Sequence, residues 1–403
     1  MKRFKVAAIS MLTLLGLSAN SQVITEDTTG AAMNTAQNII AGNYGKQVVI
    51  SGYGQIDYNQ GLGNARYHTG NLDIHRLIMF FGYRFNNKTQ FVTEIEWEHV
   101  KEVYIEQAFI NHNINNWLNL RGGLLLIPMG IVNEYHESTT FNGVERPNLD
   151  KYIVPSTWRE LGFGATGQIN SLSLRYQLYV VNGPKSFDGN GPTLSGKYGI
   201  RKGRQKGAES FVSSPSLSTK IDFFGVKGLK MGAAAFIGNT QTTAYDGLQR
   251  ADAEAGKRAD STAVGLSMFG VDYRYKYKRF ESRGELIYAS LTNTKAYNTY
   301  FGTDVGSSMF GYFVEAGYDV LPFFTKTEQK LVLFGRYETY DTQYTVSDEN
   351  FKNKAYARTD ITVGFSYHLV PNGTVFKVDY QNFTTQANND QRHQLNIGIG
   401  YWF

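Results

Sequence analysis

The sequence predicts an all-β fold, a transmembrane antiparallel β-barrel of about sixteen strands with a third long loop folded inward. Three observations predict it. Segments of about ten residues with alternating apolar and polar side chains recur from residue 46 to the end of the 403-residue chain. After residue 20 no apolar run reaches the roughly 18 residues that a membrane-spanning helix needs. Short turn-rich links alternate with long ones, as they do between the two ends of such barrels. Composition agrees. Aromatic residues make up 14 % and charged residues only 19 %, with a mean hydropathy of −0.34. The chain has no Cys, which excludes a disulfide framework and a Cys-type zinc site.

Residues 1–22 read as a secretory signal. Lys2, Arg3 and Lys5 precede the short apolar run Ala7–Leu17, and Ser18, Ala19 and Ser21 offer small residues for cleavage. The signal takes three basic residues with it, leaving 37 basic against 35 acidic, or +2. That near-neutral balance predicts no nucleic-acid partner. Residues 23–45 are polar with a weak helical pattern and read as a short periplasmic extension. Residues 46–403 form the barrel domain.

The alternation places strands at about 46–59, 71–85, 90–98, 103–112, 117–127, 159–168, 172–182 and 216–224. It continues at about 229–238, 262–276, 279–291, 308–320, 330–340, 356–369, 374–383 and 391–403. The clearest is Tyr356–Leu369. There Ile361, Val363, Phe365 and Leu369 share one face, and Asp360, Thr362, Ser366 and His368 the other, because a strand turns successive side chains to opposite sides. An even strand count suits a closed antiparallel barrel. The long links are 128–158, 183–215, 239–261, 292–307 and 341–355. The His99–Glu102 link is a short exception among them, and Leu321–Gln329 a long exception at the other end. The last strand ends on Tyr401, Trp402 and Phe403, which resembles the signal read by the barrel-assembly machinery.

Enzyme motifs are absent, apart from Gly162-Phe-Gly-Ala-Thr-Gly167, which matches GxGxxG. It leads into a turn and another strand instead of a helix, so its glycines read as packing space. The seven His are scattered in sequence with no metal-ligand spacing, so no metal and no cofactor are expected. The informative chemistry is charge on the polar strand faces. Glu94, Glu96 and Glu98 form a carboxylate ladder. Arg121, Arg175 and Lys220 form a basic arc, with Arg283 further round, followed by Arg336, Glu338, Asp360, Lys377 and Asp379. A cation facing lipid at mid-membrane costs roughly 2–4 kcal/mol, so these side chains should line water.

Loop 128–158 is long, and its Tyr135, Phe141, Tyr152, Ile153 and Val154 favour an ordered loop that packs on something. A barrel this wide leaves an open channel unless a loop narrows it. Glu134, Glu137, Glu145, Arg146, Lys151 and Arg159 are its charged candidates, and Arg146 is expected to grip the Glu94–Glu98 ladder.

The stretch from Leu120 to Gly167 resembles the phosphate-selective porin O/P family of outer-membrane channels. Gly123, Pro128, Gly130, Glu145-Arg146, Pro155, Arg159, Gly162 and Gly167 carry the resemblance. It implies a sixteen-stranded trimeric porin in the outer membrane, with a basic third loop and an arginine ladder along an anion path. Here the loop sets Glu134, Glu137, Glu145 and Asp150 against Arg146 and Lys151, a departure from that pattern. The expected function is passive diffusion of small hydrophilic solutes and ions, anions such as phosphate among them. The alternative is a non-conducting barrel for surface binding or secretion.

Overall fold

The computed structural model describes residues 34–41, 48–63, 69–249, 251–370, 373–387 and 392–403. The signal segment 1–22 lies outside them. Its eighteen strands are numbered in chain order: β1 Val48–Leu62, β2 Asn71–Arg84, β3 Thr89–Glu98, β4 Glu102–Asn115, β5 Leu118–Leu126, β6 Arg159–Ile169, β7 Leu174–Val181, β8 Lys185–Phe187 and β9 Ser216–Val226. The rest are β10 Leu229–Asn239, β11 Gln241–Thr242, β12 Gly265–Tyr277, β13 Phe280–Thr292, β14 Ser308–Asp319, β15 Lys330–Thr345, β16 Ala357–Val370, β17 Thr374–Thr385 and β18 Arg392–Trp402. Sixteen of them close into one antiparallel barrel, each paired with its barrel neighbour in sequence. The ring is sealed by β1 on β18, with Tyr53 opposite Trp402 and Leu62 opposite His393. The expected strands and the observed ones coincide to within a few residues.

The two faces separate as the alternation requires. On β16, Ile361, Val363 and Leu369 are 45 %, 49 % and 50 % exposed, while Asp360, Thr362 and Ser366 are buried. The outward residues form the apolar band and the inward ones meet what fills the lumen. Gly162 and Gly164 sit where β6 runs tightly against β7; a Cβ on either would collide with a carbonyl of Val180 or Leu178. The GxGxxG match is therefore a packing feature.

Closure satisfies the ladder hydrogen bonds of every barrel strand on both edges, with no open edge for water or detergent to pry apart. The folded protein should therefore migrate faster than the boiled protein on a gel run without heating. Identical migration of the two samples would contradict closure.

The long links gather at one end, called here the long-loop mouth, and the short turns at the other. The sequence reading missed the parallel pair β8 and β11, which ties link 182–215 to link 240–264. Ser186 Oγ donates to Thr262 O at 2.6 Å, and Tyr297 OH to Ser186 O at 2.8 Å. Helix α3 (Ala253–Asp260) lies in link 240–264, and helix α4 (Thr294–Phe301) in the link between β13 and β14. The long-loop mouth is thus an ordered cap. Two further helices belong to the lumen: α1 (Thr35–Ala41) and α2 (Leu149–Tyr152).

Of residues 23–45, expected as a short periplasmic extension, the structure describes Asn34–Ala41, which include helix α1. Within the described part, Asn34–Ala41, the chain lies inside the barrel near the short turns, against β1, β2 and β3. Ala36 and Ile39 are buried there, and Ile39 fills the space beside Gly82. Covering these apolar groups favours the lumen over the periplasm.

Candidate functional site

Loop 127–158 leaves β5, crosses the lumen and returns to β6. A loop inside a protein carries backbone groups that need partners, and the inward residues of the far wall supply them. Glu285 accepts from Ile131 N at 2.6 Å, Glu338 from Leu149 N at 3.0 Å and Asp379 from Val144 N at 2.6 Å. Lys377 Nζ donates to three loop carbonyls, Ser138 at 2.5 Å, Phe141 at 2.6 Å and Gly143 at 2.9 Å, and lies 4.0 Å over the Phe141 ring. Arg336 donates to Glu145 O at 3.2 Å. Gly130, at φ +70°, opens the loop; a Cβ there would press on the Glu285 carboxylate. From below, α1 meets the same loop: Thr35 N donates to Glu137 Oε1 at 2.7 Å, and Asn34 Nδ2 to Glu134 O at 2.8 Å.

The carboxylate ladder divides between two tasks. Glu94 is buried and accepts from Gln107 Nε2 at 2.7 Å, with His136 Nε2 3.3 Å away. Glu96 pairs with Arg76 at 3.5 Å. Glu98 faces the long-loop mouth.

The expected basic arc is not an arc of free cations. Lys220 is buried and surrounded by carboxylates: Glu134 at 3.0 Å, Asp272 at 3.1 Å and Asp222 at 3.9 Å, while its ammonium also donates to Gly130 O. Its charge is spent holding the loop. Arg121 donates to Tyr179 OH and Asn111, and Arg175 to Gln168 and to Gln37 of α1. Arg283 binds Glu315 at 2.9 Å and donates to Thr140 O at 3.1 Å.

Arg146 does not grip the ladder. Its guanidinium donates to His136 O at 2.9 Å, inside its own loop. The carboxylates it was expected to meet are already taken: Glu96 by Arg76, and Glu94 by Gln107 and His136. Arg159 is buried on Glu106 at 2.7 Å. Glu145 accepts from Asn59 at 3.0 Å, and Lys151 is exposed at the long-loop mouth.

Arg76, Glu106 and Asp272 escaped the sequence reading. Two bulges explain part of this. Gln55 faces Arg76 but Ile56 faces Ile74, so His75 is an extra residue, and Glu106 is likewise extra opposite Glu94 and Ile95. A bulge breaks the period of two, so alternation misassigns the side chains around it. At the first bulge the fold brings together two of the histidines scattered in sequence: the rings of His75 and His99 lie 5.4 Å apart.

A cavity lies on either side of the loop. The long-loop cavity, about 320 Å³, holds Arg76, Glu98, Arg146 and Arg159 together with Arg201, Arg204 and Lys206 of link 182–215. The last three form no ion pair with a carboxylate among the described residues. Arg204 donates to Ser156 O and Thr157 Oγ1; burial, helped by Arg201 and Arg159 nearby, pushes its pKa down to about 9. The short-turn cavity, about 210 Å³, is lined by Tyr135, Phe141, Arg274, Lys276, Glu281 and others.

A protein of Aquifex aeolicus (strain VF5), described as uncharacterised, is 31 % identical over 364 residues, which cover 86 % of this chain and 78 % of that one. This chain belongs to its family. No family model matches the sequence. Among solved structures, the chain resembles the anion-selective porin from Comamonas acidovorans, at 12 % identity over 88 % of this chain and 99 % of that one, with a TM-score of 0.57. It resembles equally the outer-membrane channel DcaP of Acinetobacter baumannii, at 12 % identity, 88 % and 97 % coverage and a TM-score of 0.57. Salmonella typhi OmpF follows at 12 % identity, 88 % and 97 % coverage and 0.55. At such identities the likeness establishes a porin-type barrel fold.

Proposed function

We propose that the protein is an outer-membrane channel for passive diffusion of small hydrophilic solutes, without enzymatic activity, with loop 128–158 as its constriction and the long-loop mouth facing outward. The observation that carries this reading is a charged lumen crossed by a loop that inward side chains hold, with a cavity on either side. Charges that would be costly against lipid instead face the loop and water. The porin-type fold and the resemblance to the phosphate-selective O/P family point the same way. The barrel belongs in outer-membrane lipid as a homotrimer, delivered to the assembly machinery by its terminal strand. Liposome swelling with sugars of graded size tests the reading: uptake should fall off steeply with solute size.

Anion preference, in this proposal, comes from Arg201, Arg204 and Lys206 at the entrance, in a cavity whose cations outnumber its carboxylates Glu96, Glu98, Glu102, Glu106 and Glu145. Replacing all three with Gln should shift reversal potentials toward cations, most clearly at low salt, where screening is weakest. An unchanged reversal potential at low salt would remove these residues from the anion path.

One observation favours a second reading. The docked loop and helix α1 both occupy the lumen and are hydrogen-bonded to each other. A blocked lumen would make the protein a surface-binding or secretion barrel, and liposomes carrying it would not swell with any solute.

A further inference from the structure

We infer that Asp73, His75 and His99 form a binding site for a divalent transition-metal ion of the zinc type, at the rim of the long-loop mouth. One oxygen of Asp73 and one nitrogen from each histidine lie within 4.8 Å of one another. Asp73 Oδ2 is 2.5 Å from His99 Nδ1 and 3.6 Å from His75 Nδ1. Metal bonds of about 2.0–2.2 Å to imidazole and carboxylate in a tetrahedron put ligand atoms roughly 3.3 Å apart. The three groups are thus within small side-chain movements of a ligand set, with a fourth position left for water. Two imidazoles and one carboxylate suit zinc, and an all-oxygen cage of the calcium or magnesium kind is not what these residues build.

Two further features support the site. Metal-bound histidines usually direct their second nitrogen at a carboxylate. His99 Nε2 lies 3.8 Å from Glu98 Oε1, so Glu98 can orient the ring while Nδ1 faces the ion. The residues are also presented by irregular backbone. His75 is the extra residue of the β2 bulge. His99 and Val100 occupy the β3–β4 turn with φ of +53° and +67°, a conformation that is costly for a β-branched residue. That turn brings His99 back over the β2 histidine, with His99 N donating to His75 O at 3.3 Å.

Binding would also reach the lumen. Arg76 donates to His75 Nε2 at 3.0 Å. A metal on Nδ1 leaves the imidazole proton on Nε2, where it opposes that donor. Arg76 must then turn wholly toward Glu96, 3.5 Å away. The ion therefore sets which partner an inward-facing arginine takes.

The test is a calorimetric titration of the folded, tag-free, full-length protein with ZnCl2 in detergent, with Co2+ as a spectroscopic probe. We expect one Zn2+ per chain and a Co2+ visible spectrum of low-coordinate type. His99→Ala, on an exposed turn, should remove both signals, and Glu98→Gln should weaken zinc binding by about tenfold. The His75→Ala/His99→Ala double variant should retain heat-modifiable migration and so report on binding alone. Unchanged zinc affinity and stoichiometry in that double variant, or no saturable zinc binding by the wild type, would overturn the proposal.

Discussion

Lys377→Met is expected to raise single-channel conductance severalfold and make the current noisy. Lys377 reaches from β17 into the lumen and caps three carbonyls of the Ser138–Gly143 segment at once. Methionine fills similar volume but donates nothing. Each buried carbonyl left without a partner costs about 1–3 kcal/mol, so the loop exchanges this docked arrangement for one in which water reaches those groups. A loop free at this point widens the passage intermittently. Lys377→Arg should recover little, because a planar guanidinium spreads its donors as a fork, whereas the ammonium converges on three acceptors around one nitrogen. Recordings that match the wild type in amplitude and noise would show that the Ser138–Gly143 segment does not govern the passage.

Lys220→Met should loosen the other side of the loop and is the substitution with the largest expected stability effect. Lys220 sits among Glu134, Asp222 and Asp272. Removing the cation leaves three carboxylates facing one another away from water. Breaking a buried ion pair on one side costs roughly 3–5 kcal/mol, and here the like-charge repulsion adds to it. The barrel ladder is untouched, so the variant should still be heat-modifiable. Limited proteolysis of the folded protein should cut within 128–158, where the wild type resists. Adding Glu134→Gln should restore part of the resistance, because one of the stranded charges is gone. Equal resistance of Lys220→Met and wild type would mean that Lys220 does not hold the loop.

The barrel was legible in the sequence because membrane strands must alternate, and the alternation fixes face and length together. The strand expected at 356–369 is Ala357–Val370, and the one expected at 229–238 is Leu229–Asn239. Inward charge was legible for the same reason. What alternation cannot supply is height along the lumen and distance across it. Lys220 and Asp272 are partners although β10 lies between their strands, a relation that needs the register of both ladders: Lys220 opposite Ala234, Gly232 opposite Asp272. Arg146 was matched to the Glu94–Glu98 ladder by charge alone, but Arg76 stands beside the ladder on the neighbouring strand and takes Glu96 first. The residues of the long-loop cavity on link 182–215 had no periodic pattern to reveal them. The weak helical pattern of residues 23–45 could not place α1: seven residues, Thr35–Ala41, are too few for a helical period to show which face is covered or by what.

If the barrel conducts, loop 128–158 sets how much. Planar-bilayer recording of the purified wild-type protein tests it most directly. The expected result is stable, small, stepwise conductance that persists at low voltage, below what an unobstructed sixteen-stranded barrel would pass. Protein that inserts and remains heat-modifiable yet gives no conductance steps would contradict it.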